Sequence, residues 1–177
     1  MIVYHGSPYQ FNRFSFDKMR TNGTSYGVGF YMTDLKDFAK SYATTPTNNK
    51  GYLYEIEFKG QKPLEFSEVT LSNEELRTLI LKLHEEIDFL WNINDLSFYP
   101  LDYVLDEACR LMRDVNDVET IAGIINTCGD AEVVLDTLYN LFGYDCIIVQ
   151  TFDQTIYIAT VNEAIEFLSC ELVVRES

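Results

Sequence analysis

The chain has 177 residues, 47% of them hydrophobic, and a formal net charge of −15 from 13 basic and 28 acidic side chains. That length and apolar content describe one globular domain rather than a disordered acidic tail, and the charge argues against direct binding to nucleic acid, whose phosphates would repel it. No apolar run approaches the roughly 18 residues of a membrane span, and the opening MIVYHGSP lacks the basic-then-apolar order of a secretion signal, so a cytoplasmic protein without membrane contact is expected.

In chain order, Ile2-Val3-Tyr4 reads as a short strand entering a turn at His5-Gly6-Ser7-Pro8, and a loop with Phe11, Phe14 and Phe16 follows. Gly23 and Gly27 flank a flexible stretch, and residues 27–32 read as a second strand. Asp34 is expected to cap a helix over 35–43, and the polar run 44–49 to form a loop. Residues 52–58 alternate as a strand, with Tyr52, Tyr54, Ile56 and Phe58 on one parity.

The middle of the chain reads as helical. Ser72 and Glu75 make a capping-box pattern before Leu76, Leu79, Ile80, Leu83, Ile87 and Leu90, which predicts a helix over 73–92. Pro100 opens a second helix, Asn116 with Glu119 a third to about 127, and Asp130 a fourth that Gly143 closes. Residues 146–150 and 155–160 then read as strands joined by the polar link 151–154. A helical turn near 163–167 and a last strand over 171–174 complete an α+β order.

The charge is uneven. Residues 1–50 hold six bases (Arg13, Lys18, Arg20, Lys36, Lys40, Lys50) and three acids, a net of +3, and the remainder carries −18. A mildly basic first quarter suits an anionic small ligand such as a nucleotide diphosphate, although nine charges are few enough to fall this way by chance. Cys109, Cys128, Cys146 and Cys170 form no CxxC pair and lie in apolar segments, so buried reduced thiols are expected and no metal site.

Two histidines are present. His84 neighbours Glu85 and Glu86, which indicates a solvated helix face. His5 ends a strand, and Gly6 after it lets a ligand approach the backbone closely. Tyr31 and Tyr42 could clamp a planar ring between them, or be two ordinary half-buried tyrosines among twelve.

Taken together, Tyr4-His5-Gly6-Ser7, Gly27-Val28-Gly29-Phe30-Tyr31-Met32-Thr33-Asp34 and Ala39-Lys40-Ser41-Tyr42 resemble the ADP-ribosyltransferases of the poly(ADP-ribose) polymerase class, and especially the domains of phage and mobile-element proteins. Gly51 to Ile56, Pro63-Leu64, Gly143 to Val149 and Tyr157-Ile158-Ala159 are similar to the later strands of that class. The resemblance implies a single domain over 1–177, with a β-rich core from 1–66 and 138–177, a helical insertion over 67–137, and NAD⁺ as substrate in a cleft between two small sheets. It implies that His5 bonds the adenosine-side ribose, that the Gly6 backbone, with Ser7 beside it, holds the nicotinamide amide, and that Tyr31 and Tyr42 sandwich the ring.

Two positions depart from the pattern of the class. A serine often found in the helix is here Ala39, and the glutamate before the late strand is absent, with none between Glu132 and Glu163. Asp153 or Gln154 is left as the third catalytic position, Asp153 because it can carry charge. The expected activity is therefore mono-ADP-ribosylation of a host protein. The helical run is also similar to small phage anti-CRISPR transferases, which modify a DNA-recognition subunit of a CRISPR complex. The rivals are a non-enzymatic acidic protein that blocks a basic nucleic-acid-binding surface, and an NAD⁺ glycohydrolase.

Overall fold

The computed structural model describes residues 1–13, 25–45, 48–92 and 98–175, with the side chains of 91 and 92 excepted. Phe14, Phe16, Gly23, Lys18 and Arg20 therefore lie outside the described residues. The chain divides into two compact units, one formed by Met1–Met19, Gly29–Pro63 and Asp145–Ser177, the other by Arg20–Val28 and Leu64–Tyr144.

The first unit is built on a sheet. Its strands are β1 (Ile2–Ser7), β2 (Phe30–Thr33), β3 (Lys50–Phe58), β4 (Pro63–Leu64), β5 (Cys146–Gln150), β6 (Thr155–Ala159) and β7 (Ile165–Val174). They lie in the order β4-β5-β6-β2-β1-β3-β7, one seven-stranded sheet rather than two small ones. β1 is longer than its sequence suggests. His5, Gly6 and Ser7 stay extended because each pairs with β3, at Tyr54, Leu53 and Tyr52. β7 likewise begins at Ile165, since β3 offers it nine paired positions, with a bulge at Glu55/Ile56. The buried Asp145 carboxylate accepts the Gln61 and Lys62 N–H groups and fastens the entry of β5 to the chain after β3.

Helix α1 (Lys36–Ala43) packs on this sheet through a seam of small residues. Ala39 and Ala43 are buried on the helix side. On the sheet side, a Cβ added to Gly6 would fall inside the contact distance of the Ala39 carbonyl oxygen and lie 2.9 Å from Ala43 N. A Cβ on Gly51 would strike the Ala43 carbonyl in the same way. Asp34 does not cap α1. The Thr33 hydroxyl accepts the Leu35 N–H at 3.2 Å, and the Asp34 carboxylate instead accepts the Thr155 N–H at 3.2 Å.

The second unit is helical: α2 (Asn73–Ile87), α3 (Leu101–Met112), α4 (Asp117–Cys128) and α5 (Ala131–Phe142). Local side-chain chemistry sets the starts of three of them. Ser72 and Glu75 form the reciprocal capping box of α2, Asn116 accepts the Glu119 N–H for α4, and Asp130 accepts the Val133 N–H for α5. Gly143 closes α5 at φ 79°, a left-handed conformation that a Cβ disfavours. α2 ends five residues before the sequence pattern does. Asp88 turns left-handed at φ 54°, and a 3₁₀ turn over Phe89–Asn92 then buries Phe89 and Leu90 completely. Asp117 is fully buried, and its carboxylate accepts the Thr70 N–H, the Thr70 hydroxyl and the Leu71 N–H, tying the approach to α2 to the first turn of α4.

Two surface expectations change. His84 is half-buried rather than on a solvated face. Of the four free thiols only Cys146 is buried, and Cys170 is exposed on β7.

Candidate functional site

The sheet loosens at one seam. β1 pairs with β3 at six positions but shares only Tyr4↔Thr33 with β2. His5, Gly6 and Ser7 follow that pair on β1, and Met32, Tyr31 and Phe30 run back from it on β2. Paired residues share a face and successive residues alternate. Tyr4, Gly6, Tyr31 and Thr33 thus face α1, and His5, Phe30 and Met32 face the opposite way. The His5 and Tyr31 side chains point to opposite faces of the sheet. What joins them crosses the seam: the His5 Nδ1–H donates to the Tyr31 backbone carbonyl at 2.6 Å.

The His5 ring sits in an aromatic box. Phe30 lies 4.2 Å from it between centroids, Phe11 5.7 Å and Tyr54 6.1 Å. Tyr54 also fastens the loop after β1, accepting the Phe11 N–H at 2.7 Å and donating to the Tyr9 carbonyl. Although His5 as a whole is half-buried, its ring is enclosed, and burial pushes the His5 pKa from 6.5 down to about 4 against the smaller opposing effect of the Tyr31 bond. At neutral pH the imidazole is uncharged, with its proton on Nδ1 and Nε2 left as an acceptor. Such a group suits a neutral hydroxyl and is of little use as a charge partner for a phosphate.

The other sequence candidates fall as follows. Gly6 is bare toward α1, so its missing side chain admits a helix rather than a ligand. The Ser7 hydroxyl is buried and accepts the Tyr9 N–H at 3.1 Å. Ala39 is a buried packing position whose backbone carbonyl lies against Gly6. Tyr31 is half-buried, and Tyr42, 61% exposed in the last turn of α1, meets Phe38 edge-on at 5.2 Å. Both tyrosines belong to the α1 face. Asp153 is exposed and accepts the Thr151 hydroxyl within its own turn. Gln154 reaches across to β2, where the Thr33 hydroxyl donates to its Oε1 at 2.9 Å. The structure thus ties Gln154, and not Asp153, to the strand that carries Tyr31. The local basic surface is smaller than the charge count suggests, because Lys36 pairs with Glu171 and lies over the Tyr4 ring, and Lys40 pairs with Asp37.

Residues 1–165 match the family described as ADP-ribosyltransferase in polyvalent proteins, ART-PolyVal. The chain belongs to this ADP-ribosyltransferase family. The mixed architecture, a seven-stranded sheet with five helices, accords with an ADP-ribosyltransferase fold, and transfer of ADP-ribose from NAD⁺ is the chemistry of the family in general. A solved structure titled "Crystal structure of an anti-CRISPR protein" aligns over 98% of this chain and 93% of its own, at 14% identity and a TM-score of 0.30, too low to establish a common fold. No curated protein matches the chain in sequence.

Three residues of the site were not singled out for function by sequence reasoning. Tyr54 was legible as the same-parity neighbour of Tyr52 and Ile56, but its partner became identifiable only with the β1–β3 register. Thr33 and Asp34 follow Met32 at the end of β2, and their signal is a pair of polar residues closing a largely buried strand.

Proposed function

We propose that the protein is a mono-ADP-ribosyltransferase that moves one ADP-ribose unit from NAD⁺ to a protein acceptor. The observation that carries the reading is the β1–β2 seam, where an uncharged His5 bonds across to the Tyr31 carbonyl. In this reading Tyr31 and Tyr42 hold the nicotinamide ring on the α1 face, and His5, whose ring is enclosed on the opposite face, acts through its bond to the Tyr31 carbonyl. Gln154 stands at the third position. An amide cannot act as a base or carry negative charge, which favours a single transfer over chain growth. The oxocarbenium-like ribose formed as nicotinamide leaves then depends on placement of the acceptor rather than on a local carboxylate.

The net charge of −15 supports a basic partner. A protein whose surface ordinarily holds nucleic acid, such as the DNA-recognition subunit of a CRISPR complex, is the acceptor we propose. Incubation with NAD⁺ labelled in the adenylate, with and without host lysate, tests the reading. Label on a lysate protein is the expected result. Free nicotinamide with no labelled protein would make the chain a glycohydrolase, and neither turnover nor NAD⁺ binding would leave an acidic protein that blocks a basic surface.

A further inference from the structure

We infer that Thr33 is a positioning residue that fixes which end of the Gln154 amide is offered to NAD⁺, an inference that rests on the placement of Gln154 proposed above. Gln154 precedes β6, and its backbone is already held by the β5–β6 turn. The Thr151 N–H donates to the Gln154 carbonyl at 2.9 Å, and the Gln154 N–H donates back to the Thr151 hydroxyl at 3.3 Å. Closing that hairpin needs nothing from the Gln154 side chain. The side chain is nevertheless anchored on a different strand, by the hydroxyl of the buried Thr33.

The chemistry of that hydroxyl is constrained. Thr33 Oγ1 accepts the Leu35 N–H at 3.2 Å, and its single proton goes to Gln154 Oε1 at 2.9 Å, with the Asp34 carboxylate farther off at 3.4 Å. Asp34 in turn accepts the Thr155 N–H and holds the start of β6 beside β2. With Oε1 engaged, the Nε2 amino group is the end left for a ligand. The third position then presents two N–H donors, which fit ribose hydroxyl oxygens. Asp153, exposed and bonded within its own turn, has no comparable anchor on β2.

The test uses the full chain labelled with ¹⁵N. The Gln154 amino resonances are assigned by their loss in Gln154→Ala and followed in Thr33→Val and Thr33→Ser, each also titrated with NAD⁺. Thr33→Val should move the Gln154 amino resonances in the free protein and weaken NAD⁺ binding by about fivefold, the worth of one neutral hydrogen bond. Thr33→Ser, which keeps the hydroxyl, should restore both. In a Gln154→Ala background, Thr33→Val should weaken NAD⁺ no further. Unmoved Gln154 resonances in Thr33→Val would overturn the inference, as would an equal loss of NAD⁺ affinity in the Gln154→Ala background, which would mark Thr33 as merely structural. A wild-type chain that binds no NAD⁺ overturns the functional reading and this inference with it, whereas wild-type binding that Thr33→Val leaves untouched overturns the role of Thr33 alone.

Discussion

The contact between α1 and the sheet makes Gly6→Ala the sharpest single perturbation. The added methyl would overlap the Ala39 carbonyl oxygen and sit 2.8 Å from its carbon and 2.9 Å from Ala43 N. All three atoms are backbone, so no side chain can rotate aside. Relief requires α1 to retreat by about 1 Å or more, given carbon contacts near 3.5 Å. The helix is held at its start by the Thr33 hydroxyl on Leu35 N and at its end against Gly51, so retreat breaks contacts at both ends. Overpacking of this kind costs about 1–3 kcal/mol, and a backbone clash belongs at the upper end. Because α1 carries Tyr42, NAD⁺ affinity should fall together with stability. Gly123→Ala is the matched control: it lies inside α4, its Cβ would meet nothing within 4 Å, and it should stabilise by about 0.5–1 kcal/mol. Urea unfolding of both variants measures the contrast. A Gly6→Ala chain within about 0.5 kcal/mol of wild type would refute the packing argument.

Three further outcomes follow from the same structure. His5 binds its proton near pH 4 when folded and near 6.5 when unfolded, so its contribution is fully present above pH 6.5 and is lost as the pH falls toward 4, by at most about 3 kcal/mol. With only two histidines in the chain, an NMR titration of the His5 ring checks this directly, and a midpoint near 6.5 would contradict the enclosure. Tyr31→Ala should weaken NAD⁺ binding by about 1–3 kcal/mol, measured calorimetrically, if one face of the nicotinamide clamp is lost; full NAD⁺ turnover in both Tyr31→Ala and His5→Ala would remove these residues from the site. Asp117→Ala removes the acceptor of the Thr70 groups, strands the buried Leu71 N–H and should cost about 2 kcal/mol in urea unfolding, with Asp117→Asn costing less because it keeps one acceptor oxygen.

What the sequence showed was whatever is decided locally. Ser72 with Glu75, Asn116 with Glu119, and Asp130 with Gly143 fix helix ends through partners three or four residues away, and each stands where the pattern places it. The errors lie where distant chain decides. His5-Gly6-Ser7-Pro8 has turn composition, yet β3 holds its first three residues extended. Asp34 has the chemistry of a helix cap, but the arrival of β6 gives its carboxylate a different donor. Gly6 looked permissive toward a ligand because nothing in the sequence says that α1 folds back onto it. All seven candidate residues belong to the sheet unit. Their division between the two faces of the sheet, and the choice between Asp153 and Gln154, required the register of β1, β2 and β6.

β7 carries a consequence for the protein in solution. Among the described residues it is a ten-residue strand at the end of the sheet order, with Leu168, Leu172 and Val174 exposed, and a strand edge of that length invites pairing with another copy. The surplus of acidic groups acts here as a colloidal barrier, keeping like-charged molecules from bringing two such edges together. That barrier is only as long as the ionic atmosphere allows, about 8 Å at physiological salt. Concentrated salt or mild acid thins it while leaving the edge intact, so dilute buffer above neutral pH is the condition that keeps the chain dispersed.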